Sequence, residues 1–129
     1  MTICFLGPAQ IMAIHSHQIS AYGGLHGIRD HKLLESAVNY PQAMFAQEYL
    51  HHNIYCMAAA YMYAITKNHP FLDGNKRTGI ATAILFLERN DILIEATIDE
   101  LFELAISTAT SKNTESDIAL FFEQKSVEN

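Results

Sequence analysis

The sequence predicts an all-α fold, a compact helical bundle formed by residues 1–129 as a single domain. Three observations lead there. Apolar residues recur at spacings of three and four through most of the chain. Helix-capping residues stand ahead of several of these segments. The period-2 alternation of a half-buried strand is absent from any long stretch.

The elements follow in order. Residues 8–22 read as a helix, with Pro8 suited to its first turn and Ile11, Ile14, His15 and Tyr22 near one face. Gly23-Gly24 ends it. Asp30 can cap a short helix carrying Leu33, Leu34, Ala37 and Val38, which Pro41 stops. Residues 42–50 have no clear period. Residues 51–67 form the clearest helix, with Ile54, Met57, Ala58, Tyr61 and Ile65 at a 3.6 period. A further helix runs from about Asn75 to Asn90 on Ile80, Ala83, Ile84 and Leu87, and residues 92–95 are briefly extended. Thr97 with Glu100 makes a capping box before Leu101, Phe102, Leu104 and Ala105. Thr114 with Asp117 marks the start of a last helix carrying Ile118, Phe121 and Phe122.

Composition narrows the function. Half of the residues are apolar, enough for a real core. No apolar run is long enough to span a bilayer, and no signal peptide is visible. Cys4 and Cys56 are too few for a disulfide framework, and Cys56 falls in an apolar helical pattern that suits a buried thiol. These features fit a cytoplasmic protein without a membrane partner. The net charge is −6, from 14 acidic and 8 basic residues, with no basic stripe, which argues against direct nucleic-acid binding. Lys67, Lys76 and Arg77 stand out against this acidic background. Cations gathered beside one loop suit a small anion.

That loop is the most informative stretch: residues 69–78 read His-Pro-Phe-Leu-Asp-Gly-Asn-Lys-Arg-Thr. An imidazole exchanges a proton near neutral pH, so His69 is the candidate general base. Asp73 is a hard oxygen ligand suited to magnesium. Gly74 lets the backbone approach a ligand closely, and Asn75 can hydrogen-bond a phosphate oxygen or a metal-bound water. Lys76 and Arg77 would neutralise phosphate charge, and the helix start behind them offers free N–H groups. A turn and a cap would account for Asp73, Gly74 and Asn75 alone. They leave the histidine unexplained, and they leave two cations where the helix dipole opposes them unless an anion is bound. Phe71 reads as a core anchor. Lys67 could reach a nucleotide or simply sit exposed at a helix end. His15 with His17, and His51 with His52, lack the helical spacing and the carboxylates of a metal site.

The segment resembles the signature of the Fic superfamily: His, any residue, Phe, any residue, Asp or Glu, Gly or Ala, Asn. The following Lys-Arg-Thr resembles its death-on-curing branch, the toxin halves of bacterial toxin–antitoxin pairs. Residues 19–38, Ile-Ser-Ala-Tyr-Gly-Gly-Leu-His-Gly-Ile-Arg-Asp-His-Lys-Leu-Leu-Glu-Ser-Ala-Val, resemble the N-terminal signature of that branch. Pro41-Gln42 and Lys67-Asn68 also fit, so the likeness covers roughly residues 12–90. It implies a helical fold, His69 as base, Asp73 as magnesium ligand, and ATP held by Lys67, Gly74, Asn75, Lys76 and Arg77. It places a flap that holds the target at residues 42–50.

The departures from the wider superfamily bear on the reaction. Adenylyl-transferring members have glycine where this chain has Lys76, and a second arginine where it has Ile80. In the death-on-curing branch these changes accompany a reversed nucleotide and transfer of the terminal phosphoryl group. The resemblance therefore implies an ATP-dependent protein kinase acting on a threonine of elongation factor Tu and stopping translation. Residues 111–116 are a near miss for a self-inhibitory motif, so inhibition is expected from a small antitoxin protein. The runner-up is an adenylyltransferase. A reading of another class is a non-catalytic partner in an antitoxin complex.

Overall fold

The computed structural model describes residues 2–128, and its architecture is a helical bundle, as the periodicity predicts. Helices α1 (Pro8–Tyr22) and α2 (His31–Asn39) are followed by a 3₁₀ turn (Tyr40–Gln42) and a hairpin of β1 (Met44–Phe45) and β2 (Glu48–Tyr49). The long helices α3 (Ile54–Asn68) and α4 (Asn75–Arg89) come next, then β3 (Ile92–Ile94), α5 (Ile98–Ala109), α6 (Glu115–Gln124) and β4 (Ser126–Glu128). Strands β3 and β4 pair antiparallel, with Leu93 opposite Val127.

The bundle is built around α3. Residues 57–62 and 64–66 of this helix are all buried, so it is enclosed on every side rather than along one stripe. It packs most extensively on α4 and α6. The periodic face read from the sequence is therefore only part of what α3 buries. Small residues make this possible. A Cβ on Gly79 of α4 would stand 2.8 Å from Thr66 Oγ1 and 3.1 Å from the Met62 carbonyl of α3. The close crossing of the two helices fixes the ends of the loop between them. Around α3, Leu6, Ile11, Phe71, Phe86, Ile118 and Phe122 are fully or almost fully buried. Each such side chain contributes about 1.5–3 kcal/mol of transfer free energy. Tyr61 ties the N-terminal segment to the core: its hydroxyl accepts from Leu6 N–H (2.9 Å) and donates to the Leu6 carbonyl (3.1 Å). Burial pushes that phenol up to about 12.

The predicted caps are present. Asp30 accepts from Leu33 N–H at 3.0 Å, and Thr97–Glu100 and Thr114–Asp117 form reciprocal capping boxes. Four details differ from the sequence reading. Tyr22 is exposed, and Ile19 takes its place beside Ile11 and His15, one helical turn apart from each other. Helix α3 begins at Ile54, because Asn53 caps it by accepting from Cys56 N–H at 2.9 Å. Cys56 is half-buried rather than buried, being one turn into α3 where the helix is not yet enclosed. Residues 42–50 hold the β1–β2 hairpin, whose strands are too short to show alternation.

Candidate functional site

The loop between α3 and α4 is shaped by two left-handed residues. Helix α3 ends at His69, with φ 50° and ψ 57°, the conformation that closes many helices but that non-glycine residues seldom adopt. Helix α4 begins after Gly74, with φ 75°. A Cβ at Gly74 would meet Ile19 Cδ1 at 2.9 Å and Arg77 Nη2 at 3.3 Å. Among the described residues no side chain caps the first turn of α4. Its leading N–H groups and the positive end of its dipole are open to an anion.

A cleft of about 220 Å³ lies over this helix start, lined by His69 and by residues 72–77. His69 and Lys76 are exposed, while Asp73 and Arg77 are half-buried. The cleft thus brings together His69, Asp73, Gly74, Asn75, Lys76 and Arg77. It does not include Lys67, whose ammonium donates to the hydroxyl of Ser111 after α5. Typical small-molecule sites occupy roughly 300–1,000 Å³. This cleft falls below that range. A larger cleft of about 380 Å³ between α1 and α4 has no carboxylate in its lining.

Asp73 is held in an ionised state. Oδ2 accepts from Leu25 N–H (3.2 Å) and Oδ1 accepts from Gly74 N–H (2.9 Å). These two backbone donors, with the Arg77 guanidinium nearby, keep its carboxyl below the ordinary range. Arg77 donates to the Gly23 carbonyl at 3.0 Å, which orients the guanidinium at the cleft wall. Asn75 is buried, and its amide is engaged within the loop: Oδ1 accepts from Phe71 N–H and Nδ2 donates to the Phe71 carbonyl, both at 3.0 Å. Its Nδ2 also faces His69 Nδ1 at 3.4 Å, longer than a normal hydrogen bond. The geometry thus gives Asn75 a part in shaping the loop.

Sequence reasoning missed the support beneath this loop. Residues 23–30 run alongside it in the opposite direction. Leu72 N–H donates to the Gly27 carbonyl (3.0 Å), Ile28 bridges Phe71, and Arg29 N–H donates to the Pro70 carbonyl (2.7 Å). The Arg29 side chain donates to the carbonyls of His69 and Asn68. His15, whose role the sequence left open, donates from Nε2 to the Asp73 carbonyl at 2.7 Å. Tyr22 is the last residue of α1, Gly23 caps it, and Gly24 follows with positive φ and presses on the site. A Cβ at Gly24 would stand 2.6 Å from Asp73 Oδ2. These contacts are mostly through backbone groups, which any residue type carries, so no motif announces them.

A metal at this cleft would meet one carboxylate, that of Asp73. Among the described residues no group of three or more His, Cys, Asp or Glu converges to hold an ion. One ionised carboxylate beside an open anion cradle suits magnesium that arrives already carrying phosphate oxygens.

Comparison with known proteins identifies the family of the chain. The family model described as Fic/DOC family matches residues 5–87. The protein named "Protein kinase doc" of Escherichia phage P1 is 34% identical over 114 residues, covering 88% of this chain and 89% of that protein. "Toxin Doc" of Mycolicibacterium smegmatis is 38% identical over 79 residues, 61% of each chain. The matched region runs from ahead of α1 almost to the end of α4 and so encloses both the cleft and the segment that supports it; this chain belongs to the Fic/DOC family.

Proposed function

We propose that the protein is the toxin of a toxin–antitoxin pair and transfers the terminal phosphoryl group of ATP to a hydroxyl of a translation protein. The target that the death-on-curing resemblance implies is a threonine of elongation factor Tu. A small antitoxin is the proposed inhibitor, and the cytoplasm the proposed compartment. The observation that carries the reading is the grouping of His69, Asp73, Lys76 and Arg77 around the uncapped start of α4. The names of the two relatives, one a protein kinase and one a toxin, support it.

In this mechanism the target hydroxyl oxygen attacks the terminal phosphorus and its proton passes to His69. The new P–O bond forms as the bond to the bridging oxygen breaks, and ADP leaves. Magnesium held by Asp73 would neutralise phosphate charge when bound. The N–H groups opening α4 and the side chains of Lys76 and Arg77 hold the phosphates in place. Lys76 and Ile80 are four residues apart in α4 and so share one helix face. That face carries a cation at its tip and an aliphatic side chain one turn on. It lacks the second arginine that the resemblance implies for adenylyl-transferring members of the superfamily.

The test uses the purified protein, elongation factor Tu, and ATP labelled at either the terminal or the innermost phosphate. Mass spectrometry should find a phosphoryl group on the target, carrying the terminal label and absent with His69→Ala. Transfer of the innermost label with an adenylyl mass would replace this reading by adenylyl transfer. No covalent product with an intact antitoxin complex would favour a non-catalytic partner.

A further inference from the structure

Three consecutive carbonyls at the end of α3 accept hydrogen bonds from one short stretch of chain. Arg29 Nη2 donates to the Asn68 carbonyl at 2.8 Å and Arg29 Nε to the His69 carbonyl at 2.6 Å. The backbone N–H groups of Arg29 and Asp30 both donate to the Pro70 carbonyl, at 2.7 and 3.1 Å. Asp30 is in turn the N-cap of α2, so the start of one helix grips the end of another. The carbonyls at a helix C-terminus lack partners within the helix, and a cation there complements the dipole. His69 lies in the middle of this grip. Its left-handed backbone conformation is sparsely populated by residues with a Cβ and persists only where the surroundings hold it.

We infer that Arg29 is a positioning residue: its guanidinium fork holds the left-handed turn at His69 and so aims the imidazole into the cleft. The inference rests on the reading of His69 as the base. Arg29 is itself exposed and lies outside the lining of the cleft, so it acts through His69 rather than on the substrate. Relaxation of the turn toward a helical or extended backbone would redirect the His69 Cβ and move the ring out of reach of a target hydroxyl. Exposure also predicts that the fork matters more for geometry than for overall stability. Lysine is a poor substitute, because one ammonium cannot span two carbonyls with the rigid spacing of a guanidinium.

The experiment compares Arg29→Ala and Arg29→Lys with wild type by NMR of the His69 backbone and ring resonances and by steady-state kinetics. In Arg29→Ala the resonances of residues 68–70 should shift while those of α5 and α6 stay put. The kcat should fall about 100-fold, as displacements near 1 Å cost, with KM for magnesium-ATP changed by less than about twofold. Arg29→Lys should regain thermal stability but not kcat. Unshifted His69 resonances, or full kcat in Arg29→Lys, would overturn the inference. Should Arg29→Ala fail to fold, Arg29→Lys decides by the same two readouts. An inactive wild type would defeat the proposed reaction, yet the His69 resonances would still report whether Arg29 holds the turn.

Discussion

The imidazole of His15 lies parallel to the ring of Phe71, with centroids 3.8 Å apart and planes inclined by only 5°. Through this stack α1 supports the motif loop, and the same imidazole donates to the Asp73 carbonyl. Burial is the main reason its pKa falls below the ordinary 6.5; the hydrogen bond to the Asp73 carbonyl opposes it, and the charges of His26 and then Arg77 add to it. A group that binds protons less readily when folded favours the unfolded chain as pH drops. Stability should therefore be full above about pH 6.5, decline as pH falls through the lowered value, and then level off. His15→Gln keeps a donor for the Asp73 carbonyl but cannot be protonated. Denaturant titrations at several pH values should show a shallower acid slope in this variant; an unchanged slope would remove His15 as its source.

Phe71 is buried, and its backbone N–H and carbonyl are both bound by Asn75. It links the core to the loop. Phe71→Ala should cost about 3–5 kcal/mol by loss of burial and formation of a cavity. Urea unfolding measures this directly. A loss below about 1 kcal/mol would show that the loop is anchored elsewhere.

Gly23 and Gly24 separate two effects. Both have positive φ, so alanine strains the backbone at either position. Only at position 24 would the new Cβ strike Asp73, at 2.6 Å from Oδ2; at position 23 it would find open space. Gly24→Ala should weaken magnesium-dependent turnover markedly more than Gly23→Ala. Equal losses would mean that backbone strain accounts for everything and that the approach to Asp73 is immaterial.

How much of this was legible depends on the range of the interactions. Asp30, Thr97 with Glu100, and Thr114 with Asp117 act within one helical turn, so short sequence spacing reveals them. The chemistry-bearing residues of the cleft also lie within nine positions, and the loop that gathers them was readable as one segment. Arg29 and His69 are 40 residues apart and meet through carbonyl groups that every residue possesses. The pairing of β3 with β4 joins residues at least 32 positions apart through strands of three residues, too short for a period. Ile19 is hard to read from the sequence because it packs against Gly24 and Gly74, whose added Cβ atoms would come within 3.0 and 2.9 Å of its Cδ1, and glycines carry no apolar signal.

Asp73 should remain an available ligand in mildly acidic solution. Its carboxyl is held down first by Leu25 N–H, then by Gly74 N–H, with Arg77 adding to both. A depressed carboxyl stays ionised as pH falls past the ordinary aspartate range and loses its charge only at the lower value. Magnesium affinity in the presence of ATP, followed by calorimetry, should thus persist to lower pH than a free carboxylate would allow. Asp73→Asn should bind magnesium-ATP more weakly at every pH while its melting temperature changes little. Equal activity of the two proteins across a magnesium titration would exclude Asp73 as the ligand.

Residue 76 is expected to help choose which phosphate is attacked. It occupies the second position of α4, directly at the open helix start, and its side chain is exposed. Lys76→Gly should lose at least about tenfold in transfer of the terminal phosphoryl group, because a cation beside developing negative charge is removed. It should gain little adenylyl transfer. Position 80, one turn along the same face, is isoleucine, and an inverted nucleotide would find no guanidinium there to grip its terminal phosphate. Adding Ile80→Arg to Lys76→Gly supplies both missing features, room and a clamp. The double variant should begin to attach an adenylyl group to the same hydroxyl, since His69 and Asp73 are unchanged. The measurement is the mass added to the target together with which labelled phosphate of ATP, terminal or innermost, becomes protein-bound. Undiminished terminal-phosphate transfer by Lys76→Gly would show that the direction of the nucleotide is set by another part of the cleft.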